Sequence, residues 1–544
     1  MIRPDAPAFA LAQASGLVAA LREAGFRGDA PPPDQAGQGA VALLTQDVPS
    51  GLALLHAARR RRLGFSAVVA TGLAGGIGAP AALRLLLADA ATKVVALSLE
   101  APPEGEALLA ALDEARRLGK PVVILHTGID GMCGGGLAPS PHHIRQSLFE
   151  AHGALCADSA GDLIDIAFFL AGIGARLPLG GRVAILTGGG GGGVITADLC
   201  GHAGLEVPPL SAETRRELAG LVPPIASTAN PIDLTPEMFN EKNYDRFPRV
   251  LDVVAADPGI DAIFLPTTFN APRGNTVAAE VLAAFTARSP KPVLIAAAPA
   301  REMQDVLIPA GIHAIGDAAQ AARALRRILR HAQAPAAPCR AGTARPWPPE
   351  GLPGVLAQSG IAEAPRWAFG VDDPAPDLAF PCVLEAVPAV GSPIGDLCDA
   401  AELMAARGRL LARGAPISAF ETREDVQGRL TLCLVGFVDA SFGPMLGCAT
   451  GGVQGRMLDD LALLRAPSEA SAVAAALEGL HAIRHARKMR RLDSLNGIAS
   501  AIAALSGFIA AVPPGHFLRL DPVDIAPGGL CALDAAIIPF ACQT

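Results

Sequence analysis

One sequence pattern occurs twice in this chain. Residues 39–45 and residues 181–187 both read Gly-x-Val-Ala-x-Leu-Thr, and in both places a turn and a helical pattern follow directly. Beyond each opening, short apolar runs alternate with helical segments up to about residue 331. Such alternation is typical of parallel sheets with helices on both faces. The sequence therefore predicts two tandem copies of one α/β domain.

The pattern changes after residue 331. Residues 332–353 are rich in proline and lack periodicity, which predicts a linker. From residue 354 to residue 544, strands and helices mix without strict alternation, as in an α+β domain. Residues 1–38 hold one helical pattern, around Leu17, and are too few for a domain. We therefore predict a multidomain α/β protein with parallel-sheet domains at 39–178 and 179–331, followed by the α+β domain.

Composition and charge narrow the classes of partner. The formal net charge is -8 and no domain is basic, which argues against nucleic acid. The ten cysteines form no Cys-x-x-Cys pair, so neither a metal cluster nor a disulfide framework is indicated. The most apolar window, residues 498–512, is shorter than the ~20 residues of a membrane span and predicts a buried helix. No signal peptide is apparent, and we expect a cytoplasmic protein with no membrane partner.

The turn of the second copy consists of glycine. A strand at residues 183–186 runs into six consecutive glycines: Gly188, Gly189, Gly190, Gly191, Gly192 and Gly193. Glycines let the backbone approach a bound group closely, and the following helix N-terminus offers unpaired N–H donors and a positive dipole end. Such a turn suits phosphate. The alternative is that a strand-to-helix turn merely tolerates glycine.

The corresponding turn of the first copy carries Asp47 instead. Aspartate is a good cap for a helix N-terminus, but its charge would repel a phosphate. The four arginines at residues 59–62, on the helix that follows, are expected to form a solvated face.

Several segments resemble one known family. The stretch Ser-Thr-Ala-Asn230-Pro231-Ile-Asp233-Leu resembles the Asn-Pro-x-Asp-Leu signature of NDP-forming acyl-CoA synthetases, the relatives of succinyl-CoA synthetase. Residues 41–178 resemble the domain that precedes this signature, and segments around Phe380, Phe442 and Leu520 resemble an ATP-grasp domain. The chain is identified as a divergent member. The resemblance implies two succinyl-CoA synthetase-like flavodoxin domains followed by an ATP-grasp-like domain.

The resemblance also implies a reaction and its cofactors. Such enzymes convert a carboxylic acid, CoA and ATP to an acyl-CoA, ADP and phosphate, and the phosphoryl group rests on a histidine between two helix N-termini. The implied cofactors are ATP/ADP, Mg²⁺ and CoA, and the implied substrate is a small carboxylic acid or its acyl-CoA. The family's N-terminal CoA-binding domain has no counterpart, since 38 residues precede the first copy. A partner chain that supplies this domain, or an oligomer, is therefore expected.

Individual residues match the family's functional positions. Glu100 matches the glutamate that orients the histidine, with a solvated strand-end carboxylate as the alternative. The six glycines match one of the two phosphate-binding turns. Asp521 and Asp534 match the metal-binding positions, and their oxygens suit Mg²⁺. A solvated pair of aspartates is the alternative there.

Other positions depart from the family. Cys133 lies where the histidine is expected, and we expect the neighbouring His126, His142 and His143 to be surface or loop residues. Glu385 replaces the lysine that faces the nucleotide phosphates, and Arg456 replaces a glutamate. Two hypotheses result: an acid–thiol ligase with divergent motifs, or a catalytically impaired pseudoenzyme that acts as a partner or regulatory subunit.

Overall fold

The chain forms two compact units. The structure, a computed structural model, describes residues 8–12, 28–29, 39–71, 77–100, 104–126, 141–174, 177, 180–239, 243, 245–266, 272–297, 301–333, 342–378, 380–387, 394–414, 416–424, 429–451, 460–489, 492, 494–526 and 529–539. One unit comprises Met1–Ile129 with Leu148–Ala337, and the other comprises Asp130–Ser147 with Pro338–Thr544.

The first unit contains both predicted α/β modules. In the described part of the first module, seven strands form one sheet in the order β2-β1-β4-β3-β5-β6-β7. The strands are β1 (Ala8–Ala12), β2 (Gly28–Asp29), β3 (Val41–Thr45), β4 (Phe65–Ala70), β5 (Val94–Leu99), β6 (Val122–His126) and β7 (Ala154–Cys156). The helices are α1 (Val48–Arg60), α2 (Ala79–Ala88), α3 (Gly105–Arg117), α4 (Pro141–Ala151) and α5 (Ala160–Ile173).

Burial explains why these short runs become strands. Every residue of β3, β4 and β5 is buried, as expected for parallel strands with helices on both faces. Helix α1 begins at Val48, because Asp47 caps it and Pro49 fits the first turn. β1 lies antiparallel to β4, with Phe9 opposite Ala70, so residues before 39 extend the sheet. The helical pattern around Leu17 lies outside the described residues.

The second module repeats the arrangement with a smaller sheet. Its described strands pair in the order β12-β11-β10-β8-β9, and all of these pairs are parallel. The strands are β8 (Val183–Thr187), β9 (Ile232–Asp233), β10 (Ala262–Leu265), β11 (Val293–Ala296) and β12 (Ala314–Ile315). The helices are α6 (Gly190–His202), α7 (Ala212–Ala219), α8 (Phe247–Ala256), α9 (Pro272–Arg288), α10 (Arg301–Leu307) and α11 (Ala318–Gln333), with a 3₁₀ turn at Pro236–Phe239.

A common apolar core joins the two modules. Phe65 and Leu163 of the first module belong to the same cluster as Ile185 and Leu325 of the second. At its edge, the fully buried Asp165 of α5 accepts hydrogen bonds from Arg61 Nη1 at 2.6 Å and from Gln320 Nε2 at 2.7 Å. His313 Nε2 lies 2.6 Å from the same carboxylate.

The arginines at residues 59–62 are all exposed, as expected for a solvated face. Two of them also form ion pairs: Arg61 pairs with a buried carboxylate across the joint between the modules, and Arg62 pairs with Asp305 of α10. A pattern of consecutive arginines does not show which of them meets a partner from another module.

The second unit contains two sheets. In its described part, β13, β22, β21, β18, β19 and β20 pair in that order, and β23 pairs with β21. The other sheet has the order β14-β17-β15-β16. The strands are β13 (Ile361–Glu363), β14 (Trp367–Gly370), β15 (Cys382–Val387), β16 (Ile394–Leu397), β17 (Ala419–Glu424), β18 (Thr431–Asp439), β19 (Gly443–Thr450), β20 (Leu461–Arg465), β21 (His516–Ala526), β22 (Gly529–Ala532) and β23 (Ala535–Pro539).

The helices of this unit pack mainly on the larger sheet. They are α12 (Leu352–Ser359), α13 (Ala400–Leu411), α14 (Ala470–Gly479), α15 (His481–Lys488) and α16 (Asn496–Ser506), with a 3₁₀ turn at Ile509–Ala511. The window at 498–512 is buried as expected, but its α-helix ends at Ser506. None of the helices in the described part of the chain is long and apolar enough to cross a membrane.

Part of the predicted linker packs on this unit. The N–H of Gly342 donates to the carbonyl of Pro467, and the N–H of Arg345 donates to the carbonyl of Gly507. Trp347 packs against the core of the larger sheet. Residues from 342 onward therefore contact the C-terminal domain, and residues 334–341 lie outside the described residues.

Candidate functional site

Each module places one strand-to-helix turn at the carboxyl edge of its sheet. The order of the strands reverses between β3 and β5 in the first module and between β8 and β10 in the second. Ligands of open α/β sheets bind in the crevice at such a reversal. The turns found there are residues 45–51, called the first turn, and residues 187–193, called the second turn.

A threonine closes both turns in the same way. Thr45 Oγ1 donates to the carbonyl of Asp47 at 2.8 Å and accepts from the N–H of Asp47 at 3.2 Å. Thr187 Oγ1 makes the same two bonds with Gly189, at 3.0 Å and 3.2 Å. Both threonines are buried. The repeated sequence opening thus builds the same local backbone twice.

The two helices that follow start differently. At the first turn, Asp47 Oδ2 accepts a hydrogen bond from the N–H of Ser50 at 2.7 Å, and Pro49 has no N–H to offer. At the second turn, α6 begins at Gly190 behind Gly189, and no side chain caps it. Gly189 to Gly192 are exposed. The second turn therefore presents uncapped N–H groups and a positive helix end, while a carboxylate of the chain already occupies the first.

The family signature residues lie beside the second turn. Asn230 Oδ1 accepts from the N–H of Ile185 at 3.0 Å, and its Nδ2 donates to the carbonyls of Val183 and Pro208. A Cβ on Gly193 would lie 3.0 Å from Pro231 Cβ, and one on Gly190 would lie 3.2 Å from Asp233 Oδ2. A larger residue at either position would therefore require its neighbour to shift by a few tenths of an ångström. Asn230 therefore binds the backbone of β8, Pro231 packs against Gly193 of the second turn, and Asp233 lies beside Gly190 at the start of α6.

Glu100 and His126 lie at the edge of the first sheet. Glu100 follows β5, is exposed, and donates its N–H to Gln46 Oε1 at 3.1 Å, which places it next to the first turn. His126 is the last residue of β6 and lies opposite Leu99 in the parallel register. It is 7% exposed, and its ring packs edge-on against Phe149 at 5.9 Å.

One expectation about the histidines is therefore wrong. His126 is a buried strand-end residue and not a surface or loop residue, because β6 continues one residue beyond the apolar run that predicted it. Cys133 lies outside the described residues. His142 and His143 lie in α4, but their side chains are outside the described part. The identity of a phosphoryl acceptor stays a prediction.

The candidate nucleotide residues of the C-terminal domain lie between its two sheets. Glu385 of β15 lies opposite Glu421 of β17 in the antiparallel register. Both line a small pocket with Arg366, which sits between β13 and β14. Arg366 also donates to Asp534, which lies in the turn between β22 and β23. Arg456 lies outside the described residues.

The backbone holds the two predicted metal ligands close together. The N–H of Asp521 donates to the carbonyl of Asp534 at 3.1 Å. The carboxylate of Asp534, however, has both oxygens in use: Oδ1 accepts from Arg366 Nη2 at 2.8 Å and Oδ2 from Arg519 Nη2 at 2.5 Å. Each oxygen can accept a further bond, but two guanidinium groups in contact with this carboxylate would repel a divalent cation, so the arrangement does not fit Mg²⁺ on Asp534. No group of three or more potential metal ligands occurs in the described part of the chain.

Sequence reasoning missed Arg366 and Arg519. Arg519 precedes Asp521 by two residues on β21, and residues two apart on a strand share a face. That spacing was a readable signal for a basic group beside the acidic ones. Arg366 is 168 positions from its partner Asp534, so only the tertiary fold reveals it.

Comparisons with known proteins agree with this architecture. Residues 38–170 match the succinyl-CoA ligase like flavodoxin domain, and residues 394–538 match the ATP-grasp domain. The chain is 25% identical to the acetate–CoA ligase (ADP-forming) I of Archaeoglobus fulgidus, over 92% of this chain and 78% of that protein. It is 27% identical to the alpha subunit of the acetate–CoA ligase (ADP-forming) II of Pyrococcus furiosus, over 42% of this chain and 50% of that protein.

One further relative and one solved structure are also similar to this chain. The 4-hydroxybutyrate–CoA ligase (ADP-forming) of Nitrosopumilus maritimus is 26% identical over 47% of this chain and 37% of that protein. The solved apo form of the dinucleotide forming acetyl-coenzyme A synthetase 1 of Ca. Korarchaeum cryptofilum is 25% identical, covers 56% of this chain and 67% of that chain, and has a TM-score of 0.46.

Two parallel-sheet modules followed by a mixed-sheet domain define a multidomain α/β protein, as predicted. With both domain families matched in this order and relatives that span nearly the whole chain, the protein belongs to the NDP-forming acyl-CoA synthetase family.

Proposed function

We propose that the protein is an acid–thiol ligase that converts a carboxylic acid, CoA and ATP to an acyl-CoA, ADP and phosphate. The observation that carries this proposal is the similarity to an ADP-forming acetate–CoA ligase over 92% of the chain, with the second turn intact at the expected position. ATP/ADP and CoA are its proposed co-substrates. A partner chain or oligomer contributes the CoA-binding domain, in keeping with relatives that are named as alpha subunits.

The second turn is the proposed binding site for the phosphoryl group. Gly188 to Gly193 leave the N-terminus of α6 without a side-chain cap, so its N–H groups and dipole are available to an anion. The first turn cannot contribute in the same way while Asp47 caps α1. We therefore expect the second turn, and not the first, to bind the phosphoryl group. Glu100, which lies next to the first turn, is the proposed positioning carboxylate.

Phosphoryl transfer to the protein is the decisive test. Purified protein incubated with radiolabelled ATP and Mg²⁺ is expected to form an acid-labile, base-stable phosphoprotein, as a phosphohistidine would. Separate replacement of His126, His142 and His143 by alanine identifies the acceptor as the variant that loses the label. His202→Ala is the matched control, because His202 ends α6 on the side opposite the glycines.

The substrate is found by a parallel assay of CoA consumption. Free thiol is measured with CoA, ATP and each acid of a panel that covers the relatives' named acyl groups: acetate, 4-hydroxybutyrate and trans-ferulate. The proposal expects thiol loss with at least one acid and matched release of ADP. An unlabelled protein that also leaves every acid unreacted, with the proposed partner domain supplied, would show the pseudoenzyme hypothesis to be correct.

A further inference from the structure

A four-membered ionic cluster connects the two sheets of the C-terminal domain. Arg366 donates to Asp534 Oδ1 through Nη2 and to Glu421 Oε2 through Nη1, at 2.8 Å and 3.2 Å. The same Nη2 donates to the carbonyl of Leu533 at 3.1 Å. Arg519 completes the cluster from β21 through its bond to Asp534 Oδ2. Glu421 belongs to the smaller sheet, while Asp534 and Arg519 belong to the larger one.

The backbone keeps Asp534 in this position. The N–H of Asp521 donates to the carbonyl of Asp534, and the N–H of Leu533 donates to the carbonyl of Pro522. Arg519 lies opposite Ala536 in the pairing of β21 with β23. The backbone therefore holds Arg519 and Asp534 at neighbouring positions, where their side chains meet.

Charge within the cluster balances without an added ion. Two guanidinium groups face two carboxylates, and arginine remains protonated at every physiological pH. Burial lowers the pKa of Arg366, but its hydrogen bonds to Asp534 and Glu421 outweigh burial and raise that pKa overall. A divalent cation on Asp534 would compete with two charge-assisted hydrogen bonds for the same oxygens and would lie against two positive charges.

We propose that Arg366 and Arg519 take the place of the divalent cation at Asp534, so that this aspartate ties the two sheets together and binds no metal. The inference rests on the proposed function only in treating this domain as a nucleotide-binding domain. Whether Asp534 binds a metal ion can be measured without any ligase turnover. A cation that accompanies a nucleotide would then be held by other groups.

Binding of Mn²⁺, followed by electron paramagnetic resonance on the full chain without nucleotide, tests the inference. The wild-type protein and Asp534→Asn are expected to bind equal amounts of Mn²⁺. The double variant Arg366→Gln/Arg519→Gln, which frees both oxygens, is expected to gain a site that the added Asp534→Asn change removes. A wild-type site lost in Asp534→Asn would overturn the inference, and so would a folded double variant that gains no site.

A second measurement needs no variant and covers the case in which the substitutions prevent folding. Fe²⁺ bound in place of Mg²⁺ cleaves the backbone near its site when ascorbate and peroxide are added. No cleavage between residues 519 and 534 is expected in the wild-type protein, and cleavage there would overturn the inference. Phosphoprotein formation is scored separately, so a failed ligase proposal and a failed cluster proposal give different results.

Discussion

The first turn and the second turn have the same backbone and opposite chemistry. Thr45 and Thr187 make the same pair of hydrogen bonds, and each turn leads into a helix of 13 residues. Asp47 then supplies a negative charge and a cap at the first helix, whereas Gly189 leaves the second helix uncapped. A duplicated scaffold can therefore retain its fold at both positions while only one of them remains available to an anion.

The joint that holds the two modules together is expected to show the largest effect. Asp165→Ala leaves Arg61 and His313 without their buried carboxylate, so the free energy of unfolding should fall by about 3 kcal/mol. Urea unfolding of the wild-type protein and the variant measures this. Asp165→Asn, which keeps an acceptor oxygen, is the control and should lose less. Equal loss in both variants would contradict a charge-dependent joint.

The close packing of Gly51 behind the first turn is expected to show the next largest effect, with the loosely packed Gly192 as its control. A Cβ on Gly51 would lie 2.5 Å from Thr45 Cγ2, and Thr45 cannot rotate without losing its bonds to Asp47. Gly51→Ala should therefore destabilise the protein by about 1–3 kcal/mol. On Gly192 the nearest atom to a Cβ is Thr187 Oγ1 at 3.6 Å, so Gly192→Ala should be neutral or stabilising by up to about 1 kcal/mol. Thermal unfolding of the two variants measures whether Gly51→Ala is the less stable one. A Gly51→Ala protein as stable as Gly192→Ala would contradict the prediction.

Removal of the cap at the first turn is expected to have a moderate effect. Asp47→Ala loses the bond to the N–H of Ser50 and should cost about 1 kcal/mol of stability. Asp47→Ser keeps a capping oxygen without the charge and should stay close to the wild-type protein. Thermal unfolding of the three proteins measures the difference. If Asp47→Ala is as stable as Asp47→Ser, the cap contributes nothing.

The reciprocal change tests anion binding at the second turn. Gly189→Asp places a carboxylate where the first turn has one, and should weaken binding of inorganic phosphate about fivefold, or about 1 kcal/mol. Calorimetric titration with phosphate measures the affinity. Gly189→Asn, which caps without a charge, is the matched control. Equal weakening by both variants would indicate steric blocking and not charge.

A smaller effect concerns the acid stability of the second module. The hydrogen bonds from Arg182, together with the positive charge of that group, outweigh burial and lower the pKa of Asp261 below its ordinary value. A lowered folded-state pKa gives stability that is present above the unfolded pKa of about 3.9 and is lost as the pH falls through the folded pKa. Asp261→Asn should therefore flatten the loss of stability below pH 4, measured by urea unfolding at several pH values. If the stability of Asp261→Asn falls below pH 4 as steeply as that of the wild-type protein, Asp261 does not contribute to the loss of stability in acid.

Much of the architecture follows from local patterns. β3 and β10 coincide with short apolar runs of the sequence, because buried parallel strands are continuous apolar runs. One alanine-rich helical pattern at residues 471–483, which by itself predicts a single helix, forms two helices, α14 and α15, separated at Leu480, whose backbone is extended. The break follows Gly479, and glycine is a residue type that is common at helix ends.

The residues of the candidate site also fall into two groups, those identified from the sequence and those that were not. The glycines of the second turn, the aspartate of the first and the Asn230–Asp233 signature were all identified from sequence, because each acts through its own backbone or its near neighbours. The depth of His126 and the partners of Asp534 were not, because they depend on segments far away in the chain.

The two α/β modules, the domain that follows them and the charge at each turn can be predicted from the amino-acid sequence, because periodicity and capping are local properties. Which charges meet depends on the tertiary fold. It brought Arg61 to the buried Asp165 and placed Arg366 and Arg519 on the two oxygens of Asp534. Coulombic and hydrogen-bond energies depend on distances of a few ångströms, and residues 104 or 168 positions apart acquire such distances only when the chain has folded.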